Sequence, residues 1–448
     1  MLKRNRQRTI HLLNEYGMIL VLVLLGLFFS VMTLTEQYPS GKKAGLQLAQ
    51  RIQSSLSNDA SILIASRNLP LDITFAETLH ESLDQYGFKN LHTVVGEPRD
   101  ARAKLLDMEQ AGTTLEAIAG NQTTSKWLVF ADIQSDFPGL KTPLLLGPTT
   151  YRWPNFLKRD NLLNITNQIV VIAMVAIGMT VVIIAGGIDL SVGSLIAFSA
   201  VSGCLFIRNF AGALEASFLG MVLACIGAIT LSGFVGAFTG GLVTAFSIPP
   251  FIVTLSMMMM ASGTAYLLSG GESIYQVPDT FVQLGRGSSV LGVPNAVMMM
   301  LVLYVFAHVM MSQTKLGRYI YAVGGNPEAA RLSGVPVRRV QLFAYTLSGA
   351  LAGLGGIVMA SQLKSGSPTY GQMYELYVIA AVVVGGTSLS GGEGKVFGTL
   401  IGAFIIAVIQ NGMNLMNIES YTQKVILGFV ILVAVMLDKI KQKGFSPS

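Results

Sequence analysis

The sequence predicts a polytopic α-helical membrane protein of about ten spans, with a small α/β domain inserted after the first. Three observations predict it. Hydrophobic residues make up 52% of the 448 residues and charged residues only 12%, well below the roughly 25% charge of soluble proteins. The apolar residues gather into runs long enough to cross a bilayer, separated by short polar turns. One stretch, residues 36–155, breaks that pattern and carries more than half of the acidic residues.

The rest of the composition agrees. The 48 glycines and 21 methionines suit closely packed membrane helices with adaptable filling between them. A net charge of +6 is no nucleic-acid signal here, because the basic residues outside 36–155 cluster at the ends of apolar runs. Cys204 and Cys225 both lie in apolar runs, which argues against a disulfide framework or a zinc site.

Residues 1–35 form a cytoplasmic head and the first span. Lys3, Arg4, Arg6 and Arg8 precede an apolar run from Gly17 to about Leu34, and the positive-inside rule keeps that head in the cytoplasm. The run is long enough to span and lacks a clear small-residue cleavage site, so it reads as an anchor rather than a removable signal peptide. Residues 36–155 then emerge outside. They show a helix near Gly41–Leu56, an apolar run at Ser61–Ala65 and a helix near Leu71–Tyr86 ending at Gly87, a natural C-cap. A strand at Thr93–Val95, a helix at Asp100–Gln110 and a strand at Trp127–Phe130 follow. Strands alternating with such helices imply a parallel sheet wrapped by helices.

Residues 156–440 form the transmembrane domain, with spans near 164–185, 188–207, 215–237, 249–269, 290–312, 338–360, 374–388, 396–415 and 422–437. This count puts Lys439, Lys441 and Lys443, with the tail 441–448, in the cytoplasm beside Lys315, Arg318, Arg331, Arg338 and Arg339. It leaves Glu272, Asp279 and Arg286 outside. A broken or re-entrant helix fits 188–207 and 374–388 as well as a full span does.

Within the second of these runs, Gly186-Gly187-Ile188-Asp189-Leu190-Ser191-Val192-Gly193-Ser194 places a carboxylate among small residues at membrane depth. A carboxylate in hydrocarbon costs about 2.5 to 3.5 kcal/mol even on lenient scales, so Asp189 faces a bundle interior, a partner or water. The alternative is a short interfacial turn in which Asp189 caps the next helix. Either way the element is a broken helix, which points to transport. A weak repeat supports this: Gly385-Gly386-Thr387-Ser388-Leu389-Ser390 echoes Gly186–Ser191, and each is followed by a Gly-Ser/Thr-Leu-Ile run.

The cytoplasmic loop 313–337 holds Gly324-Gly325-Asn326-Pro327-Glu328-Ala329-Ala330-Arg331-Leu332-Ser333-Gly334-Val335-Pro336. Asn326 is an N-cap, Pro327 fills the first helical position and Glu328 complements the helix dipole. Gly334 and Pro336 stop the helix. So short a helix buries no core of its own and makes sense as a knob for a socket on another protein. An ATPase within this chain is excluded, since no Gly-x-x-x-x-Gly-Lys-Ser/Thr occurs. The Gly353-x-Gly355-Gly356 run reads as helix packing.

Residues from about Pro154 to Lys441 closely resemble the membrane subunit of bacterial ABC importers for ribose and related monosaccharides. The resemblance rests on Gly178–Ile183, Gly187–Ser194, Leu316–Ala322, Gly324–Asn326 with Ala330–Gly334, and Val384–Gly392. It implies the ABC importer permease fold and a transport subunit, not an enzyme. It also implies that Asn326, Pro327, Glu328, Ala329, Ala330, Arg331 and Gly334 couple to a separate ATPase. The chain would bind no cofactor itself, ATP and Mg being used by that ATPase. Further implied partners are a second permease copy and a periplasmic sugar-binding protein, with no nucleic acid involved. The location implied is the bacterial inner membrane, multi-pass, with both termini cytoplasmic. Candidate substrate-path residues are Asn164, Asn167, Gln168, Asp189, Ser191, Tyr374 and Glu375, because a sugar needs paired hydrogen-bonding groups and an aromatic face. Interfacial roles remain open for Asn164, Asn167, Gln168, Tyr374 and Glu375. The domain at 36–155 departs from the family, whose members have only a short connection there. An ion- or proton-coupled carrier using Asp189 is the competing function.

Overall fold

Among the described residues, seven helices are long and apolar enough to cross a membrane, and the apolar stretches Gly17–Met32, Tyr374–Val384 and Ser420–Met436 are shorter. The computed structural model describes residues 2–140, 142–289 and 292–444, with side chains between 17 and 436 in those ranges. The side chains of the basic head and tail lie outside the described ones. The chain divides into two compact units, Leu34–Pro154 and the remainder on either side of it.

After α1 (Leu2–Met32), the first unit runs β1 (Leu34–Gln37), α2 (Gly41–Ser55), β2 (Ile62–Ser66), α3 (Pro70–Gln85), β3 (Leu91–Val95), α4 (Pro98–Gln110) and β4 (Ala117–Gly120). It ends with α5 (Leu128–Ala131), α6 (Ile133–Asp136), β5 (Leu144–Leu146) and β6 (Tyr151–Pro154). β1 and β6 pair as an antiparallel ribbon, and the other four strands make a parallel sheet in the order β3-β2-β4-β5. Alternate residues of a strand face opposite sides, and β2 uses both. Ile62 and Ile64 join Leu48, Ile52, Phe75 and Leu79 in one core, while Leu63 and Ala65 join Leu105, Met108, Phe130 and Ile133 in the other.

The strand expected at Trp127–Phe130 is instead a turn of helix, and the strands are Ala117–Gly120 and Leu144–Leu146. β4 is buried along its whole length. A Cβ on Gly120 would come within 2.7 Å of Ser125 N. Of its four residues only Ile118 favours a strand; Ala117, Ala119 and Gly120 are small residues in a fully buried strand, so packing overrides propensity.

The second unit continues α7 (Arg159–Ile184), α8 (Val192–Phe206), α9 (Phe218–Phe246), α10 (Pro250–Ser269), α11 (Asn295–Gln313), α12 (Lys315–Gly325) and α13 (Pro327–Leu332). α14 (Val337–Leu363), α15 (Tyr374–Val384), α16 (Val396–Leu415) and α17 (Ser420–Gly444) complete it. The predicted span 188–207 is corrected to a helix beginning at Val192, and 374–388 to one ending at Val384. In both cases the Gly-Gly pair and the polar residues after it close or delay the helix.

From Ile169 to its end α7 has no exposed residue, and it is 89% buried over its most apolar stretch, whereas α9 and α10 are 28% buried. A helix apolar all round belongs at the centre of a bundle, and α7 sits there. α14 lies against it and reaches three neighbours through small residues. A Cβ on Gly353 would come 2.7 Å from Ser232 of α9, one on Gly355 2.9 Å from Val175 of α7, and one on Gly356 2.9 Å from Ser199 of α8. Close approach of this kind is how helices associate where burial from water gives little drive.

Candidate transport site

Asp189 sits in the non-helical loop between α7 and α8 and is 1% exposed. Its Oδ1 accepts the Ser191 N–H at 3.0 Å and the Ser191 hydroxyl at 2.6 Å, and Oδ2 accepts the Ser348 hydroxyl of α14 at 2.8 Å. These bonds form a turn with an added tether to α14. They do not cap α8, whose first helical residue is Val192. Ser348 also faces Gly178, where a Cβ would come 2.7 Å from Ser348 Cα. Gly178 lies about 9 Å of helix before the end of α7. The loop therefore turns back into the bundle, and α8 begins inside it.

A second break lies before α15. Gly366 packs on Ala200 and Cys204 of α8, and Gly371 on Ile196 and Gly193. The non-helical chain between them thus runs antiparallel along buried turns of α8. Backbone of this kind at membrane depth is tolerated where it is buried in protein or lines a cavity, and here it lines one. A cleft of about 440 Å³ is bounded by Gly193, Ser194 and Ala197 of α8, Met258, Met259 and Ser262 of α10, and Pro368, Tyr370–Met373 and Glu375. The Glu375 carboxylate lies against Gly193 at the start of α8, where the helix dipole favours negative charge. Two short helices thus open onto one polar-and-methionine cleft, an arrangement suited to a passing polar solute.

The two glycine motifs are related in three dimensions. At the end of α7, the N–H groups of Ala185, Gly186 and Gly187 donate to the carbonyls of Val181, Ile183 and Val182. At the end of α15, those of Gly385, Gly386 and Thr387 donate to Ala381, Val383 and Val382. Gly186 and Gly386 take φ of +86° and +81°, left-handed values that favour glycine. Gly186 therefore corresponds to Gly386, one residue later than the sequence motif pairs it. The following turns return to the motif's own register. Ser191 N donates to Asp189 Oδ1, and Ser390 N donates to Ser388 Oγ.

In the segment 324–336, Asn326 Oδ1 accepts the Ala329 N–H at 3.0 Å and Pro327 opens α13. Glu328 and Arg331 are exposed and paired with each other at 2.9 Å, and Ala330 is buried. Gly334, at φ +81°, follows the helix. Glu328 and Arg331 present their charges to solvent, while the buried Ala330 anchors the helix.

The other candidates are dispersed. Asn164 and Gln168 are exposed on α7. Asn167 is half-buried and accepts from Gln362 Nε2 at 3.1 Å. Tyr374 packs edge-on to Tyr377. Of the seven path residues named from sequence, only Glu375 lines the cleft, and Asp189 with Ser191 forms the buried tether behind it. Ser194, Ser262, Gln372 and Ser348 were missed. For Gln372 a signal existed in Ser365-Gly366-Ser367-Pro368, a helix-breaking run ahead of an unusually short apolar stretch. For Ser348 there was none.

A bundle of apolar helices broken around a polar cleft defines a membrane transport component rather than an enzyme. Residues 161–435 match the family described as branched-chain amino acid transport system / permease component. The chain is 43% identical over 297 residues to the ribose import permease protein RbsC of Escherichia coli K12, covering 64% of this chain and 88% of that one. It is 41% identical over 292 residues to the ribose import permease protein RbsC of Bacillus subtilis 168, covering 64% and 87%. Identity is 34% over 288 residues to the D-allose transport system permease protein AlsC of Escherichia coli K12, covering 64% and 86%. No solved structure matches the chain. The chain belongs to this permease family of ABC importers, and is a multi-pass inner-membrane transport subunit of a system that includes an ATPase and a substrate-binding protein. That membership sets aside the ion- or proton-coupled carrier.

Proposed function

We propose that this chain forms the membrane pathway for a ribose-like monosaccharide and is driven by a separate ATPase that docks on α13. The observation that carries the reading is the cleft, where Ser194, Ser262, Gln372 and Glu375 offer donors and acceptors among methionines. A sugar needs such groups, and the volume lies within the range of small-molecule sites. The sugar relatives support the substrate class.

Two copies of the chain work together, with Mg·ATP bound and hydrolysed by the ATPase subunits and not here. Asn326, Pro327, Glu328, Ala329, Ala330, Arg331 and Gly334 are the coupling segment. Both termini are cytoplasmic and the Leu34–Pro154 unit is extracytoplasmic, a placement supported by the basic loops and tails. That unit is an accessory or docking element for the sugar-binding protein.

The test is reconstitution in vesicles with the ATPase and the binding protein. Labelled D-ribose should enter only with ATP inside the compartment that holds the ATPase, and entry should survive collapse of the proton gradient. Entry that needs the gradient and ignores ATP refutes the reading.

A further inference from the structure

We infer that a junction of glycine backbones joins the coupling segment, the Asp189 loop and the second repeat loop into one mechanical unit, with Tyr321 as the positioning residue that holds it. The inference rests on the reading of α13 as the ATPase-docking helix.

Gly324 and Gly325 end α12, immediately before the Asn326 cap of α13. A Cβ on Gly324 would overlap the Ile184 carbonyl, the last residue of α7, and stand 2.6 Å from Gly392 N. A Cβ on Gly392 would stand 2.8 Å from Gly325, and one on Gly391 2.8 Å from Gly324 O. Gly392 N–H donates to the Ile184 carbonyl at 2.9 Å, so the second repeat loop is bonded to the helix that leads into the first. The Tyr321 hydroxyl of α12 donates to Gly394 O at 2.8 Å. Within that loop, Ser388 N donates to Glu393 O and Gly391 N to Ser388 O, each at 3.1 Å, which makes it a closed turn.

Contacts between bare backbones have no side-chain rotamers to absorb a shift. A displacement of α13 is therefore passed to Ile184 and onward through Gly186 and Gly187 to Asp189, instead of being lost in rearranged side chains. The same displacement reaches the loop after α15, so both halves of the pathway receive it together. Two buried hydroxyls beside the junction, Tyr345 Oη over Gly187 and Thr387 Oγ1 beside Gly394, have no hydrogen-bond partner among the described residues. Buried polar groups are normally paired, and these leave room for a second arrangement that pairs them.

The test uses the full transporter assembled with its ATPase in proteoliposomes, measuring ATP hydrolysis and labelled D-ribose uptake together. Tyr321→Phe removes one hydrogen bond and little else. Assembly and hydrolysis should persist while ribose moved per ATP falls on the order of three- to tenfold. Gly324→Ala should uncouple further if it folds; if it does not, Tyr321→Phe decides alone. An unchanged ratio in Tyr321→Phe, or hydrolysis and uptake falling in parallel, overturns the inference while leaving the docking reading intact. If the unsubstituted chain assembles with no ATPase, the docking reading itself fails and takes this inference with it.

Discussion

The Asp189 carboxylate accepts the Ser348 hydroxyl at 2.8 Å across 159 residues of sequence. That bond ties the loop before α8 to α14, the helix that packs on α7, α8 and α9. Asp189→Asn keeps one acceptor oxygen, and the Ser348 hydroxyl can reverse to accept from the amide. Asp189→Leu leaves the Ser191 and Ser348 donors buried without an acceptor, at roughly 1–3 kcal/mol each. Thermal unfolding of the purified protein should therefore rank wild type, then Asn, then Leu, and uptake should follow the same order. Equal uptake in Asn and Leu variants would mean that the tether is dispensable.

Tyr345 gives the opposite sign. Its hydroxyl is buried over Gly187 without a hydrogen-bond partner among the described residues. Removing an unsatisfied buried group relieves its desolvation penalty, worth roughly 1–3 kcal/mol. Tyr345→Phe is expected to unfold at an equal or higher temperature than the parent, and a clearly lower melting temperature would show that the hydroxyl is paired in solution.

Much of this was legible in the sequence because it followed from local chemistry. Asn326 and Pro327 announce α13 by their types alone, and the Gly186-Gly187 pair announces the end of α7. Runs of apolar residues announce the helices, but not where a helix gives way to buried loop, as at Val192 and Val384. Partners distant in sequence were invisible. Nothing about Ser348 marks it as the donor to Asp189, because that pairing depends on how α14 crosses α7. The Ala117–Gly120 strand was missed for a related reason: its small residues are dictated by neighbours on both faces of the sheet, and propensity reads them as loop.

Reversing the charge at the coupling segment tests the docking role. Glu328 is exposed at the first turn of α13 and paired with Arg331 at 2.9 Å. An exposed pair of this kind contributes at most about 1 kcal/mol, so Glu328→Lys should leave folding and membrane insertion intact. It sets two positive charges side by side, opposes the helix dipole and misfits an electrostatically matched socket. Recovery of the ATPase with the tagged permease should fall by on the order of tenfold or more, as loss of a matched interfacial charge implies. Undiminished co-purification and uptake would remove α13 from the coupling route.

The Leu34–Pro154 unit raises the question of whether this permease carries its own sugar receptor. In a parallel α/β sheet, ligands bind where the strand order reverses, at the carboxyl ends of the strands. Here that point lies between β2 and β4. It is closed by the chain itself. The Thr124 hydroxyl donates to Ala65 O at 2.8 Å and accepts the Asn121 N–H at 2.9 Å, while Asn121 Oδ1 accepts the N–H groups of Thr123 and Thr124. One open cleft on this unit, lined by Tyr38, Pro39, Ser40, Lys43, Tyr151 and Trp153, offers aromatic faces but no carboxylate or amide side chain, and another, lined by Ile73, Ala76, Glu77, His80, Glu81, Thr93 and Val95, offers carboxylates but no tyrosine or tryptophan face for a sugar to stack on. With its own sheet and two cores, the excised unit should fold alone and unfold cooperatively. By calorimetry it should bind D-ribose no better than millimolar, and micromolar binding would make this permease a fusion with its own receptor.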